Sequence, residues 1–159
     1  MAPTPLGDNM PAHSALTGTD LHEPKGVAAA ASGKTYLSDG LGSGSWVVPP
    51  YTLTAVIDDV STASSVYLAT PYAGTVTKVV TVLAGALTGA DSTITVSNSA
   101  GASMGTLTVA YSGSAAGDID TLEPVSNNTV ASNSRVLVQT DGASSGTAKL
   151  FVTVYIQGS

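Results

Sequence analysis

The chain has 159 residues and no cysteine; this length suits one domain of ordinary size with a core plus an extension, and the lack of cysteine excludes disulfides and thiolate metal sites. Only 10% of the residues are charged and the formal net charge is −6, which argues against nucleic-acid binding because that function needs clustered lysine and arginine. The first residues lack the basic start and apolar run of a signal peptide, and no stretch approaches the ~20 apolar residues of a membrane-spanning helix, so we expect a soluble intracellular product that binds no membrane.

The composition favours an all-β protein. Serine, threonine, glycine, alanine and valine dominate, whereas the long helix formers glutamate, lysine, glutamine, arginine and methionine are scarce. Valine and threonine are β-branched, and such side chains suit the pleated surface of a sheet.

Residues 1–48 have the character of an extended, mostly irregular N-terminal arm. Their apolar periodicity is weak, and the segment "SDGLGSGS" is typical of a flexible linker. Pro49 and Pro50 then stiffen the entry into the ordered part of the chain. We therefore predict an arm over residues 1–48 and a β-domain over residues 49–159.

From Tyr51 onward, short β-type runs alternate with turn-rich breaks. In chain order the runs are "TLTAVI", "SVYLAT", "TVTKVVTVLAG", "STITVSN", "TLTVAY", the weaker "DIDTL", "RVLVQT" and "KLFVTVYI". About eight short strands without a βαβ pattern predict a single jelly-roll-like antiparallel β-sandwich. The alternating apolar residues expected on the core side are Leu53, Ala55, Ile57, Val76, Val80, Val82, Ile94, Val96, Leu107, Val109, Tyr111, Val136, Val138, Leu150, Val152, Val154 and Ile156.

Lys78 breaks the apolar pattern of the third run. It has the same parity as Val76, Val80 and Val82, so a regular strand would point its ammonium group at the core. We expect the strand either to be bulged at Lys78 or to lie at the edge of a sheet.

The final run is apolar on both faces. Phe151 and Tyr155 have the opposite parity from its four aliphatic residues, and a two-layer sandwich covers only one face of a strand. We predict that this strand is central or is buried against a neighbouring subunit. Phe151 and Tyr155 are accordingly predicted to be subunit-interface residues.

The segment "AAAASGKT", residues 28–35, fits the loose form of a phosphate-binding loop. Such a loop must follow a buried strand and open a helix, because the helix N-terminus binds the phosphates. Here "HEPKGV" precedes it and "YLSDGLGSG" follows, and this favours a turn over a nucleotide site.

Two further motifs also have a simpler structural interpretation. "GASMG" around Ser103 resembles a nucleophile elbow, but both histidines lie far upstream and a strand follows, so we expect a hairpin turn. Asp118, Asp120 and Glu123 could bind Ca²⁺, but they lack the ligand series of a calcium loop, and we expect a solvated edge or turn. We therefore predict no enzyme, no catalytic residue, no metal site and no cofactor.

His22 beside Glu23 could serve acid–base chemistry, but only with a partner in a formed pocket. The simpler interpretation is that "HEPKG" forms a turn, since Pro24 fixes its own φ and Gly26 allows a positive φ. The two polar side chains would then bind backbone groups or a neighbouring subunit.

The stretch "ALTGTDLHEPKGVAAAASGKTYLSDGLGSGSW" resembles a segment found in structural proteins of tailed bacteriophages. There, a His-x-Pro-Lys-Gly turn is followed by small residues, by a "Y-x-S/A-D/N-G-x-G-S-G-x-W" stretch and by a β-domain. Residues 65–156, with "AGTVTKVVTVLAGALTGADSTITV", resemble the β-sandwich of head decoration, cement or head-fibre proteins. The matching residues of the arm are His22, Pro24, Lys25, Gly26, Tyr36, Asp39, Gly40, Gly42, Ser43, Gly44 and Trp46.

The resemblance implies a capsid decoration protein, also called a cement protein, on the outer surface of a virion made in the host cytoplasm. Its partners would be the major capsid protein and further copies of itself in a homotrimer. An arm that gains order by binding across a partner agrees with this implication, because it covers much area with few residues. The residues expected to contact the capsid or a neighbouring subunit are Leu21, His22, Glu23, Pro24, Lys25, Gly26, Tyr36 and Trp46.

An alternative function is a receptor- or glycan-binding module of a head fibre or tail fibre. Such modules expose aromatic or acidic groups at loop tips. Tyr72, Tyr111 and the acidic stretch from Asp118 to Glu123 are the candidates for that role.

Overall fold

A computed structural model describes residues 33–38, 40–41 and 44–159. The chain divides between Trp46 and Val47 into two units, which are treated separately below. The described residues contain strands and turns but no helix, as the composition predicts. Consequently, within those residues no helix is long and apolar enough to cross a membrane.

The first unit contributes a two-stranded sheet made of β1 (Thr35–Ser38) and β2 (Gly44–Val47). The connection is too short for a parallel crossover, so the pair is a hairpin. Both ends of the "SDGLGSGS" segment therefore lie in strands, since Ser38 ends β1 and Gly44 begins β2. Glycine at position 44 is required because an added Cβ would meet the carbonyl oxygen of Leu37.

The second unit contains nine strands in two antiparallel sheets. Sheet 1 has the order β3-β11-β5-β8, with β9 beside β5, and sheet 2 has the order β4-β10-β6-β7. The strands are β3 (Tyr51–Ile57), β4 (Ser64–Thr70), β5 (Gly74–Leu83), β6 (Ser92–Ser97), β7 (Ser103–Val109), β8 (Ile119–Leu122), β9 (Thr129–Val130), β10 (Ser134–Thr140) and β11 (Leu150–Gly158).

The topology of the second unit is that of a jelly roll. The chain passes from one sheet to the other at every connection except the β6–β7 hairpin and the short step from β8 to β9. Ignoring the two-residue β9, the first strand pairs with the last and the second with the second-last, as in a double Greek key. The predicted all-β sandwich is therefore confirmed.

The core lies between the two sheets and follows the predicted alternation on most strands. Ile57 of β3, Ile94 and Val96 of β6 and the aliphatic residues of β11 are buried. Leu53 and Ala55 are partly buried and pack against the same cluster. The expectation for Tyr111 is wrong, because β7 ends at Val109 and the ring is 45% exposed in the following loop.

A β-bulge in β5 changes which of its valines face the core. Tyr155 pairs with Lys78 and Ile156 with Val76, so Thr77 is the extra residue. The predicted bulge is confirmed, and β5 is a central strand between β11 and β8. The predicted inward direction is wrong for Val80 and Val82, because the extra residue inverts the parity of everything that follows. The residues that point inward after the bulge are Val79, Thr81 and Leu83.

The loop between β10 and β11 depends on a turn at Asp141 and Gly142. The Asp141 carboxylate accepts hydrogen bonds from the backbone N–H of Thr93, at 3.0 Å, and of Ala143, at 3.1 Å. Gly142 has a φ of +70°, and a Cβ added there would meet the backbone nitrogen of Ala63. Both the backbone conformation and the space therefore require glycine.

We expect Gly142→Ala to destabilise the fold more than Gly113→Ala does. Both glycines have positive φ, +70° and +79°, so either alanine carries about 1–2 kcal/mol of conformational strain. Gly113 has open space around its Cβ position, whereas Gly142 must also displace the backbone at Ala63, which adds at least ~1 kcal/mol. Urea unfolding of the two variants measures the difference, and equal losses would contradict the packing argument.

Candidate interaction surface

The outer face of sheet 1 carries a row of four exposed or half-buried apolar side chains. Phe151 pairs with Val56 on one side and with Val82 on the other, and Val82 pairs with Ile119. Directly opposed residues of an antiparallel sheet point to the same face, so the four side chains cross the sheet side by side. We call Val56, Phe151, Val82 and Ile119 the apolar row; Ile119, Phe151 and Val56 are 64%, 46% and 40% exposed.

Less apolar side chains lie on the same face towards the start of β5. The next row contains Thr153, which pairs with Thr54 and Val80. The row after that contains Tyr155, which pairs with Thr52 and Lys78. The apolar surface therefore decreases gradually along the strands.

Charged groups border the apolar row on its other side. Lys149 and Asp58 continue β11 and β3 with the parity of Phe151 and Val56, and their Nζ and Oδ1 atoms form a 2.8 Å ion pair. Together with Lys78, this pair places charges at both margins of the face. An apolar centre within a polar and charged rim is the usual composition of a protein interface.

The outer face of sheet 2 has a different character. Its exposed positions are mostly hydroxyl and amide side chains, such as Thr106 and Thr108 on β7 and Gln139 on β10, whose amide donates to Ser65 Oγ at 3.1 Å. The Arg135 guanidinium covers the ring of Tyr67 at 5.3 Å from its centroid. Tyr67, 63% exposed, and the half-buried Leu137 with which it pairs are the large apolar side chains of this otherwise mostly polar face.

The two predicted site residues of the hairpin contact each other. The rings of Tyr36 and Trp46 lie 5.4 Å apart, centroid to centroid, with an interplanar angle of 64°. This edge-to-face contact joins β1 to β2 and is typical of stabilising aromatic pairs. The other predicted arm contacts, Leu21, His22, Glu23, Pro24, Lys25 and Gly26, lie outside the described residues.

The structure places Phe151 and Tyr155 on one exposed face, separated by Thr153. Sequence reasoning found these two residues but missed Val56, Val82 and Ile119, which complete the apolar row. Val56 carries a weak signal, since it is an apolar residue on the solvent parity of its run. Which strands are neighbours is long-range information that alternation within one run does not contain.

The motifs associated with nucleotide binding and hydrolysis do not have the required context. Thr35, the last residue of the phosphate-loop match, begins strand β1 and not a helix. Ser103 begins strand β7, and its hydroxyl accepts a 3.1 Å hydrogen bond from the Gly105 N–H. The predicted hairpin turn is present, with Gly101 at a φ of +82°.

The acidic stretch lies at the solvated edge of sheet 1, as expected, because β8 is an edge strand. The Asp118 carboxylate accepts a 2.7 Å hydrogen bond from the Ala115 N–H. Burial raises the pKa of the Asp120 carboxyl, and the charge of Asp118 raises it further. Among the described residues, no group of histidine, aspartate and glutamate side chains could hold a metal ion.

The residues considered for glycan binding lie at opposite ends of the sandwich. Tyr72 precedes β5, and its backbone carbonyl accepts a 2.6 Å hydrogen bond from the Tyr51 hydroxyl. Tyr111 and Asp118 lie in the β7–β8 loop, which meets the other end of β5, because the Asp118 carbonyl accepts from the Leu83 N–H. Tyr111 and Asp118 thus share one loop, but no single loop tip combines both tyrosines with the acidic residues.

Comparisons with known proteins give a likeness of structure but none of sequence. No protein-family model and no curated protein match the chain. Among solved structures, a chain from the acidic stable capsid structure of Helicobacter pylori bacteriophage KHP30 matches with a TM-score of 0.48 and 16% identity, over 79% of this chain and 94% of that chain. A likeness at this level carries no argument about function.

We expect Asp120→Asn to raise the melting temperature at neutral pH. The folded-state pKa of Asp120 is raised, so folding disfavours its charged form, and the resulting loss of stability is complete above the folded-state pKa and absent below the unfolded-state value of about 3.9. The gain should therefore disappear when thermal unfolding is repeated near pH 3. Glu123→Gln, at an exposed carboxylate just beyond β8, is the control; a gain from Asp120→Asn that persists in acid would contradict the electrostatic cause.

Proposed function

We propose that this chain is a structural protein of a bacteriophage virion that binds the outer surface of the capsid and stabilises it. The observation that carries the proposal is the apolar row on sheet 1, an exposed surface with the composition of a protein interface. It supports a protein that acts by assembling with other protein chains. The resemblance of residues 15–46 to a segment of tailed-phage structural proteins supports the choice of a virion as the place where this surface acts.

The proposed mechanism is binding alone. Leu21, His22, Glu23, Pro24, Lys25 and Gly26 would contact capsid subunits together with Tyr36 and Trp46. Ordering an arm on a partner costs conformational entropy, about 1–2 kcal/mol for each residue fixed, so the contact must bury enough apolar area to offset it. A protein that bridges neighbouring capsid subunits in this way ties them together against internal DNA pressure.

The same proposal assigns Phe151 and Tyr155 to contacts between copies of the chain in a homotrimer. Closed cyclic assembly leaves no apolar patch unsatisfied. In a ring of three, the face of one copy contacts a different surface of the next copy, so the apolar row does not stack on itself. The major capsid protein and further copies of this chain are the proposed partners.

Receptor or glycan binding is the competing function, and no specific feature of the described residues favours it. Its aromatic candidates, Tyr72 and Tyr111, are at opposite ends of the domain. Binding to a glycan array, with no binding to virions, would support this function over the proposed one.

Deletion of residues 1–45 is expected to leave a folded sandwich that no longer binds capsids. All nine strands of the second unit lie after this segment, so circular dichroism of the deletion variant should show a cooperative β-sheet protein. Electron microscopy of virions that have been stripped of the protein and incubated with either form measures rebinding. Rebinding of the truncated protein as efficiently as the intact chain would show that the arm is not the anchor.

Phe151→Asp is expected to yield monomers or insoluble protein. Burying an unpaired carboxylate in a subunit interface costs several kcal/mol, whereas the same residue on a polar face does not. Thr106→Asp, on the outer face of sheet 2, is the matched control and should keep the wild-type oligomer. Light scattering gives the masses; a wild-type mass equal to one chain, or an unchanged oligomer for Phe151→Asp, would contradict the proposed self-association.

A further inference from the structure

The two ends of the sandwich differ in charge. We call the end formed by loops 58–63, 84–91, 110–118 and 141–149 the acidic end, and the end formed by loops 71–73, 98–102, 123–128 and 131–133 the neutral end. Every loop of the acidic end carries at least one carboxylate; these are Asp58, Asp59, Asp91, Asp118 and Asp141. Lys149 is the one cation of these loops and is paired with Asp58, so the acidic end keeps an excess of negative charge. Within the loops of the neutral end, Glu123 is the one charged side chain.

The turns at the two ends need hydrogen-bond acceptors, but this need does not explain why one end has many carboxylates and the other has few. At the acidic end, Asp141 Oδ1 accepts from two backbone N–H groups. At the neutral end, Asn98 Oδ1 does the same for Ala100 and Ala102, at 3.0 and 3.1 Å. Aspartate and asparagine are both good acceptors in such turns. Asn98 shows that a turn of the neutral end uses an uncharged acceptor where aspartate would serve equally well.

The neutral end also exposes apolar groups. Val125, in the β8–β9 connection, is 94% exposed, and Tyr72, in the β4–β5 loop, is 57% exposed. Exposed apolar side chains on a surface depleted of charge are typical of the centre of a protein interface. The charged groups closest to this end in sequence, Glu123 and Arg135, have opposite signs.

The chain enters the domain at the neutral end. Tyr51, the first residue of β3, pairs with Ile156 near the end of β11. Val48, just before it, lies so close to Gly158 that a Cβ on the glycine would meet the valine side chain at 2.5 Å. Residues that precede the domain are therefore connected to it at the neutral end.

The charges of the acidic end act only weakly on a partner bound at the neutral end, because salt screens them over the distance between the two ends. Strand β5 has 10 residues, so the ends are about 30 Å apart at ~3.3 Å per residue. The Debye length at physiological ionic strength is about 8 Å. A partner at the neutral end is therefore screened from the carboxylates of the acidic end.

We propose that the neutral end docks on the outer surface of the capsid shell, at a contact region that is uncharged or acidic, and that the acidic end faces solvent. The inference rests on the proposed function, because it takes the arm to be bound to the shell and follows the chain from the arm to the end of the domain where it enters. An acidic shell would repel the opposite orientation. A basic contact region would instead attract the acidic end.

Matched charge additions test the orientation. Val125→Glu with Ser132→Glu adds two carboxylates to exposed positions of the neutral end, and Ala116→Glu with Thr147→Glu adds two to exposed positions of the acidic end. The probe is virions stripped of the protein, and each full-length double variant is titrated against them. We expect the neutral-end pair to weaken rebinding by about tenfold or more and the acidic-end pair to change it by less than about twofold.

Each result of the rebinding titration either supports or overturns the proposed orientation. Unchanged rebinding of the neutral-end pair, or weakening by the acidic-end pair, overturns the orientation while the wild-type protein still binds and the proposed function stands. Failure of the wild-type protein to bind stripped virions overturns the proposed function and the orientation with it. Thermal unfolding shows whether both double variants are folded. If the neutral-end double variant is not folded, the single variant Ser132→Glu replaces it. Rebinding of this variant as tightly as the wild-type protein would also overturn the orientation.

Discussion

The extra residue in β5 is the constraint on which the functional surface depends. Thr77 interrupts the pairing with β11, and after this point the strand presents Val79, Thr81 and Leu83 to the core. Fully burying a valine or leucine side chain contributes about 1.5–3 kcal/mol, so the register that buries Val79 and Leu83 is strongly favoured. The same inversion turns Val80 and Val82 outward. The apolar row therefore results from the strand register that buries the core residues of β5.

The bulge also places Lys78 on the outer face of sheet 1. In an unbulged strand, Lys78 would have the parity of Val76 and point into the sandwich, where an unpaired ammonium group is very costly. With the bulge, Lys78 pairs with Tyr155 and has the parity of the outer face. A single inserted residue therefore keeps a charge out of the core and places it at the margin of an apolar surface.

Alternation of apolar residues was enough to predict the class of fold and the core-facing residues of β3, β6, β10 and β11. It failed in β5 because an inserted residue inverts the parity beyond it: Lys78 signalled the bulge, but the directions of Val80 and Val82 follow only once the inversion is applied. Strands at both ends of the glycine-rich segment before Trp46 were not predicted, because glycine occurs in hairpin connections as well as in linkers. Of the apolar row, Phe151 alone was predicted, since Val56, Val82 and Ile119 join it through strand pairing between residues far apart in sequence.

The loops of the acidic end are held by hydrogen bonds from buried hydroxyl groups and by hydrogen bonds to carboxylates. The Val60 carbonyl accepts from the buried hydroxyls of Ser92, at 3.2 Å, and Thr140, at 2.9 Å, and Ser92 also bonds to Ser144 at 3.2 Å. Buried hydroxyls stabilise a loop only when they are paired, and each buried side-chain polar atom among the described residues has a partner. The carboxylates take part as well, because Asp59, Asp118 and Asp141 each accept a backbone N–H within these loops, and their charges keep this end hydrated. The opposite end has Glu123 as its one charged side chain and exposes Val125 and Tyr72. Displacing water from such a surface costs less desolvation free energy than displacing it from carboxylates.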